Sequence, residues 1–278
     1  MNGLALDGPF GRVTLKWHKC RDVADRPAHC RHSLALGLSR GAMLEVDLQT
    51  TADGHWVCLH DDTHDAETSG EGVVGLTPRA GIERLFQRAN DGTLLGDRVL
   101  FLDELVAIVS EFPRGRVQLD IKAGGTALTA EAREHFARSV APHAARFEIG
   151  GHDAALVRCL AGLAPGIRPG FDPCDRFTGA NIDRWREFIE TVPADEARML
   201  YLHHDAVTRA ADAGIDLIAH ARSRGQVVDC WTIDPANGDT AAILARMVSL
   251  GAGRITTNDP IALEALWHAI PSSERPAG

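Results

Sequence analysis

Residues 45–62 read EVDLQTTADGHWVCLHDD, and this stretch decides the fold. Two short apolar segments flank the turn signal ADG at residues 52–54. Only residues 50–55 separate the two predicted strands, whereas a parallel crossover needs about a dozen residues or more. The pair can therefore form only an antiparallel hairpin. In its first strand Glu45 and Asp47 are two residues apart, which places both side chains on one face.

Outside this hairpin, apolar β-branched segments alternate with segments of helical period. The predicted strands are residues 13–17, 43–48, 56–60, 117–122, 146–150, 167–171, 199–202, 227–233 and 254–257. If the third is an added arm, eight strands remain, which is the number in a (β/α)8 TIM barrel of the α/β class with a β-hairpin arm near its second strand. The alternative is an open doubly wound sheet, although the first strand is not followed by its G-x-G-x-x-G signature.

The helical segments complete this alternation. They are predicted at residues 32–40, 79–89, 102–111, 129–140, 153–161, 182–191, 215–224, 239–250 and 261–270. A loop-rich insertion is expected at residues 62–97. We expect a single domain over residues 1–270 and a flexible tail at 271–278.

The composition indicates an ordinary globular protein. Of 278 residues 45% are hydrophobic and 24% are charged, and the net charge of −9 without a basic stripe argues against nucleic-acid binding. No apolar segment has the length of a membrane span, and the N-terminal residues lack the pattern of a signal peptide. The six cysteines are scattered without a C-x-x-C pair, so we expect reduced thiols in a cytoplasmic protein.

Polar side chains gather where the first barrel strands end. Chemistry in a TIM barrel is located at the C-terminal ends of the strands. The residues at these ends are His18, Lys19, Glu45, Asp47, His60, Asp61, Asp120 and Lys122, and later ends supply Asp172, His203, His204, Trp231 and Asn258. Each has an ordinary explanation when taken alone. Burying so many like charges together costs free energy unless a cation lies among them.

The residue types in this set suit phosphate-ester chemistry. The carboxylates of Glu45, Asp47 and Asp120 are oxygen ligands of the kind that Mg²⁺ or Ca²⁺ prefers. Two histidines, His18 and His60, have side chains that titrate near neutral pH. A metal and cations hold the phosphate oxygens in such sites, and histidines act as acid and base.

These motifs, taken in order, resemble those of the glycerophosphodiester phosphodiesterase family. That family has His-Arg-Gly after the first strand, E-x-D on the second, His-Asp after the next and E-x-K further on. The corresponding residues here are His18-Lys19-Cys20, Glu45-Val46-Asp47, His60-Asp61 and Asp120-Ile121-Lys122. Supporting matches include the T-x-D-G turn at residues 51–54 and the W-T and I-T-x-x-D-P ends at residues 231–232 and 255–260.

The resemblance implies a TIM barrel that uses Mg²⁺ or Ca²⁺ to hydrolyse glycerophosphodiesters to sn-glycerol 3-phosphate and an alcohol. It implies roles for seven residues by position: an acid/base pair at His18 and His60, metal ligands at Glu45, Asp47 and Asp120, and phosphate contacts at Lys19 and Lys122. Trp231 is expected to pack at the barrel mouth, and its alternative role is a substrate contact. The expected partner is a small-molecule phosphodiester, and Mg²⁺ is favoured over Ca²⁺ in the cytoplasm.

Four departures from the family pattern leave the substrate open. Lys19 replaces an arginine and loses its two-pronged hydrogen bonding, Cys20 replaces a glycine, and Asp120 replaces a longer glutamate. The sequence PAHC at residues 27–30 stands where the family usually has Pro-Glu-Asn-Thr. Three alternatives remain: a cyclising phospholipase D-like enzyme, a sugar-phosphodiester phosphodiesterase, and a silent barrel that binds a phosphorylated ligand. Which histidine is the acid stays open, and so does the oligomeric state.

Overall fold

The structure is a computed structural model that describes residues 1–123, 128–174, 182–192, 197–236, 238–271 and 275. The strands are β1 Ala5–Gly8, β2 Gly11–Trp17, β3 Met43–Thr50, β4 Trp56–Val57, β5 Phe86–Arg88, β6 Leu94–Arg98, β7 Arg116–Ile121, β8 Phe147–Gly151, β9 Arg168–Phe171, β10 Met199–His203, β11 Val227–Trp231 and β12 Arg254–Thr257.

The α-helices follow the barrel strands along the chain. They are α1 Arg31–Arg40, α2 Arg79–Ile82, α3 Leu102–Ser110, α4 Ala130–Val140, α5 Ala154–Leu163, α6 Ile182–Thr191, α7 His204–Asp212, α8 Leu217–Ser223, α9 Thr240–Leu250 and α10 Pro260–Ala269. Short 3₁₀ helices lie at His18–Cys20, Val74–Leu76 and Ala141–Arg146.

Eight parallel strands close into a barrel. Their order is β2-β3-β7-β8-β9-β10-β11-β12, and β2 pairs in parallel with both β12 and β3. Because the last strand returns to the first, the sheet has no open end, and the doubly wound alternative is excluded. The predicted TIM barrel of the α/β class is confirmed.

The hairpin arm predicted beside the second barrel strand is also present. Strand β4 is antiparallel to β3 through the pairs Gln49↔Val57 and Thr50↔Trp56, so the predicted strand 56–60 ends early, at Val57. Gly54 has φ +78 in the turn, and a Cβ atom there would lie 2.8 Å from the Ala132 nitrogen. Only glycine combines this backbone conformation with that close approach.

One local prediction was wrong, and two elements were not predicted. The helix expected over residues 79–89 ends at Ile82, and β5 then pairs with β6 across the Asn-Asp-Gly turn at residues 90–92. Strand β1, which is antiparallel to β2, was not predicted. No helix was predicted between residues 202 and 215, but helix α7 begins at His204, with the side chain of His203 accepting the N–H of Asp205. In each case tertiary pairing or a cap outweighs the local pattern.

The barrel interior contains paired charges where TIM barrels usually have branched apolar side chains. Lys16 Nζ lies 2.7 Å from Asp229 Oδ2, and Arg254 Nη1 lies 2.7 Å from Glu148 Oε2. Burial opposes ionisation of Glu148, but Arg254 holds the pKa of this carboxyl below its usual value. This network lies beneath the site described next, while the large apolar cluster packs between the strands and the helices.

Three expectations concern the chain as a whole: its cysteines, membrane-spanning segments and the C-terminal tail. None of the six cysteines forms a disulfide bond, as the scattered spacing predicted. Within the described ranges, no helix is long and apolar enough to cross a membrane. The boundary between a domain at 1–270 and a flexible tail at 271–278 stays a prediction, because residues 272–274 and 276–278 lie outside the described residues.

Candidate active site

Three carboxylates meet at the C-terminal end of the barrel. Glu45 and Asp47 lie on β3, and the parallel register of β3 with β7 places Asp47 opposite Asp120. One oxygen atom from each of the three lies within 4.8 Å of the others. The structure thus brings together the three residues that the sequence predicted as metal ligands. Their role as ligands stays a prediction.

The electrostatics of this cluster indicate a place for a cation. Burial, followed by the nearby charges of Asp47 and Asp120, raises the pKa of Glu45 well above its usual value. Burial also opposes ionisation of Asp47, but the hydrogen bond from His29 and the charge of Lys122 hold its pKa well below the usual range. The buried Asp47 Oδ1 atom has no hydrogen-bond partner in the described part of the chain. An oxygen-only donor set with an unsatisfied buried oxygen fits a hard divalent cation.

Two lysines accompany the carboxylates, as predicted. Lys122 Nζ lies 2.6 Å from Asp120 Oδ2 and 3.4 Å from Asp47 Oδ1. Burial favours the neutral amine, but the charges of Asp120 and Asp47 raise the pKa of Lys122 above its usual value, so it stays charged. Lys19 Nζ lies 3.9 Å from Asp47 Oδ2, and the Lys19 N–H donates to Glu45 Oε2 at 2.6 Å. Both cations therefore lie at the edge of the anionic cluster.

The turn after β2 explains why a glycine suits the third position of the family motif. Lys19 has φ 52 and Cys20 has φ 59, both in the left-handed region that favours glycine. The buried Cys20 thiol donates to the Glu45 carbonyl oxygen at 3.4 Å. Burial raises the pKa of this thiol well above its usual value. Cys20 is therefore a packed thiol and not a nucleophile.

His18 is oriented from both sides of its ring. Its Nδ1 atom lies 2.8 Å from Asn258 Oδ1, and its Nε2 atom lies 4.0 Å from Glu45 Oε2. Burial lowers the pKa of His18 to about 4. The imidazole is therefore neutral at neutral pH, and a ring that donates through Nδ1 has an unprotonated Nε2 atom.

His60 lies at the rim and is more exposed. Its Nδ1 atom lies 2.7 Å from Asp61 Oδ1, so the Asp61 carboxylate orients the ring. The His60 N–H donates to Glu67 Oε1 at 2.9 Å, and its carbonyl accepts a bond from the Gln49 side chain at 3.1 Å. These backbone bonds hold His60 near the end of β3.

A small cavity of about 70 Å³ opens at the barrel mouth, lined by His18, Glu45, Asp120, Lys122 and Trp231, together with His152, Asp172, Tyr201 and residues of the polar interior. Trp231 thus faces the site. His60 and Asp47 are not among the lining residues. Burial raises the pKa of Asp172 to about 6.

Sequence analysis did not assign a role to three residues that hold this site. His29 Nε2 lies 3.1 Å from Asp47 Oδ2, Glu67 binds the amide of His60, and Asn258 binds His18. His29 lies in the PAHC segment, which departs from the family pattern, and Asn258 lies in the TTNDP motif, which matches it. Both residues could therefore have been identified from the sequence. Glu67 had no signal, because it lies in an irregular part of the insertion.

Known proteins similar in sequence to this chain are phosphodiesterases. The sequence profile described as "Glycerophosphoryl diester phosphodiesterase family" matches residues 23–155, which include Glu45, Asp47, His60, Asp120 and Lys122. A curated relative, "Probable glycerophosphodiester phosphodiesterase 1" of Mycobacterium tuberculosis, is 35% identical over 98 residues. Over residues 23–155, this chain is similar to the glycerophosphodiester phosphodiesterase family.

The similar proteins align with different shares of this chain. The Mycobacterium tuberculosis match covers 33% of this chain and 36% of that relative, so the chain aligns with about a third of its length. The "Glycerophosphodiester phosphodiesterase" of Caldanaerobacter subterraneus subsp. tengcongensis is 24% identical over 220 residues, covering 78% of this chain and 82% of the relative. The predicted site residues His18, Lys19 and Trp231 lie outside the family profile's match.

Solved structures share the fold of this chain. A putative glycerophosphoryl diester phosphodiesterase from Silicibacter pomeroyi has a TM-score of 0.74 at 20% identity, with 95% of each chain covered. A phosphodiesterase from Oleispira antarctica, solved in complex with the product sn-glycerol-3-phosphate, has a TM-score of 0.69 at 18% identity, covering 92% of this chain and 96% of that one. At these identities the likeness supports the fold alone.

Proposed function

We propose that this protein hydrolyses glycerophosphodiesters to sn-glycerol 3-phosphate and an alcohol, with a divalent cation. The observation that carries the proposal is the meeting of three carboxylates with His18 at one end of the barrel. The profile match over residues 23–155 supports the reaction class, and the Oleispira antarctica phosphodiesterase of the same fold was solved with the product sn-glycerol-3-phosphate. The three residues that depart from the family pattern still lie in the site. Lys19 contacts Asp47, Cys20 contacts Glu45, and Asp120 contacts Lys122.

We propose Glu45, Asp47 and Asp120 as the residues that would hold the cation, Mg²⁺ in preference to Ca²⁺. When bound, such an ion polarises a phosphoryl oxygen and neutralises charge on the phosphate. The crowding of buried carboxylates that raises the pKa of Glu45 supports this assignment. Lys122 and Lys19, at the edge of the cluster, stabilise the further negative charge that develops on the phosphate.

The two histidines divide the proton transfers. His18 is neutral at neutral pH, and its Nε2 atom faces the carboxylate cluster, so it accepts a proton from the attacking water or hydroxyl. His60, paired with Asp61, holds the proton that the leaving alkoxide takes. Trp231 packs against the substrate at the cavity wall. A substrate hydroxyl as the nucleophile yields a cyclic phosphate, whereas water yields glycerol 3-phosphate.

The remaining expectations accompany this function as proposals. We propose a single domain over residues 1–270 that acts on a small-molecule phosphodiester and has no nucleic-acid partner. Its six free cysteines suit the cytoplasmic location expected from the sequence.

The test is a turnover screen of metal-stripped protein resupplied with Mg²⁺, Ca²⁺ or Mn²⁺ and read by phosphorus NMR. The panel contains glycerophosphocholine, glycerophosphoethanolamine, lysophospholipids and sugar phosphodiesters. Metal-dependent release of glycerol 3-phosphate is the expected result. A cyclic phosphate product would instead identify the protein as a cyclising phosphodiesterase. Metal binding without any turnover would indicate a silent barrel.

A further inference from the structure

We infer that His29 and Glu67 are positioning residues that link the metal ligand Asp47 to the catalytic histidine His60. We call this pair the His29–Glu67 bridge. The inference rests on the proposed function, because it takes the roles of Asp47 and His60 from it. The bridge consists of the side chains of His29 and Glu67, which come from the turn before α1 and from the insertion after β4.

On one side the bridge holds Asp47. His29 is buried, with 1% of its surface exposed, and its Nε2 atom lies 3.1 Å from Asp47 Oδ2 and 3.2 Å from the Asp47 amide nitrogen. One nitrogen cannot accept from the amide and donate to the carboxylate at once, but either tautomer ties the ring to Asp47. The contact fixes the orientation of a carboxylate whose other oxygen faces Lys122.

On the other side the bridge holds the backbone of His60. The two carboxylate oxygens of Glu67 point in different directions. Oε2 lies 3.8 Å from His29 Nδ1. Oε1 accepts the N–H of His60 at 2.9 Å and that of Asp61 at 3.3 Å. A single carboxylate thus contacts both the ring that orients Asp47 and the segment that carries His60.

The surrounding chain fixes His29 in an unusual backbone conformation. Its φ of +53 lies in the left-handed region, which a non-glycine residue rarely adopts. The His29 N–H donates to the Lys19 carbonyl at 2.8 Å, and its own carbonyl accepts a bond from the buried Gln87 side chain at 3.2 Å. Strain of this kind persists where several contacts determine the conformation. The insertion, through Gln87 and Glu67, therefore supports the site.

This arrangement predicts coupled effects from residues that are not themselves proposed to touch metal or substrate. Removal of the Glu67 carboxylate releases both the His60 amide and the ring of His29. Partners of metal ligands typically alter metal affinity or activity by about 10- to 100-fold. A merely structural role for Glu67 would lower the melting temperature and leave metal affinity in the folded protein unchanged.

The test compares Glu67→Ala, Glu67→Gln and His29→Ala with a control, Glu71→Ala, an exposed glutamate of the same insertion. Mn²⁺ affinity is measured by calorimetry, which needs no turnover, and kcat and KM are measured separately. Glu67→Ala is expected to weaken Mn²⁺ binding and lower kcat, each by about tenfold or more, with KM within about twofold. Glu67→Gln keeps an acceptor for the His60 amide and should recover part of kcat. Glu71→Ala should match the wild type.

The double variant His29→Ala/Glu67→Ala sharpens the test. Because both residues act through one bridge, the two losses of Mn²⁺ affinity should not multiply. Folded Glu67→Ala or Glu67→Gln protein with wild-type Mn²⁺ affinity and kcat would overturn the inference while leaving the proposed function intact. A wild-type protein that binds no Mn²⁺ and turns over no diester would overturn the proposed function and the inference together.

Discussion

His18 Nδ1 lies 2.8 Å from the Oδ1 atom of Asn258, 240 positions further along the chain. Asn258 is itself fixed, because its Nδ2 donates to Asp234 Oδ2 at 2.7 Å and its backbone N–H donates to Asp234 Oδ1 at 2.8 Å. The amide oxygen must therefore face His18 and accept from it. This chain of bonds selects the tautomer with the proton on Nδ1 and leaves Nε2 free to act as a base.

Asn258→Ala should lower kcat by about 10- to 100-fold, because His18 loses the acceptor that selects its tautomer. KM and Mn²⁺ affinity should stay within about twofold of the wild type. Steady-state kinetics with glycerophosphocholine and calorimetry check this. An unchanged kcat would show that the bond to Asn258 does not orient the base.

His18→Ala and His60→Ala should each lower kcat by about 10²- to 10⁴-fold, the usual contribution of a positioned acid or base. Circular dichroism should remain that of the wild type. His32→Ala, which removes an exposed histidine on α1, is the matched control and should be fully active. More than a tenth of wild-type kcat in His60→Ala would remove this exposed residue from the mechanism.

A divalent cation should stabilise the folded protein, because it relieves the repulsion among the three closely spaced carboxylates. Mg²⁺ at about 100 times its dissociation constant should raise the free energy of unfolding by about 2.7 kcal/mol. Thermal unfolding with EDTA and with Mg²⁺ measures this, and Asp47→Asn should abolish the difference. Affinity should weaken as the pH falls, because Glu45, with its raised pKa, must lose its proton to bind metal. If Mg²⁺ stabilised Asp47→Asn as much as the wild type, the cation would bind elsewhere.

His18 should make the metal-free protein less stable in acid. Its folded pKa of about 4 is below the unfolded value of 6.5, so the unfolded chain binds more protons between these pH values. Stability due to this group is complete above pH 6.5 and falls as the pH drops towards 4, by about 2 kcal/mol at pH 5. Urea unfolding in EDTA at pH 7 and pH 5 should show a smaller loss for His18→Gln. Equal losses would contradict the assigned shift.

The buried pair of Arg254 and Glu148 should matter far more for stability than an exposed pair. Arg254→Met leaves the Glu148 carboxylate buried with a weaker partner and should lower the free energy of unfolding by about 3–5 kcal/mol. Arg246→Met, which removes an exposed ion pair with Asp212, should change it by about 1 kcal/mol or less. Urea unfolding of both variants gives the comparison, and similar losses would mean that the interior charges are dispensable.

Local sequence patterns were sufficient for most of the barrel. Strand β12 and helix α6 have the predicted boundaries, and the E-x-D spacing correctly placed Glu45 and Asp47 together. Predictions failed where a local pattern fitted two structures. The periodicity of residues 79–89 suits a helix, but Phe86–Arg88 finds a strand partner across the turn at residues 90–92. Pairing energy from that partner exceeds the weak helical preference.

The sequence by itself determined the alternation of strands and helices, the strand ends that carry the polar residues and the types of side chain available for catalysis. These follow from periodicity, turn chemistry and spacing along the chain, all of which are local. Only the tertiary structure decided which side chains support the site: His29 behind Asp47, Glu67 beneath His60, and Asn258 beside His18. The contacts of His29 and Asn258 join residues 18 and 240 positions apart, and the contact of Glu67 lies within the irregular insertion. They depend on the closure of the sheet and the path of the insertion, which no local pattern specifies.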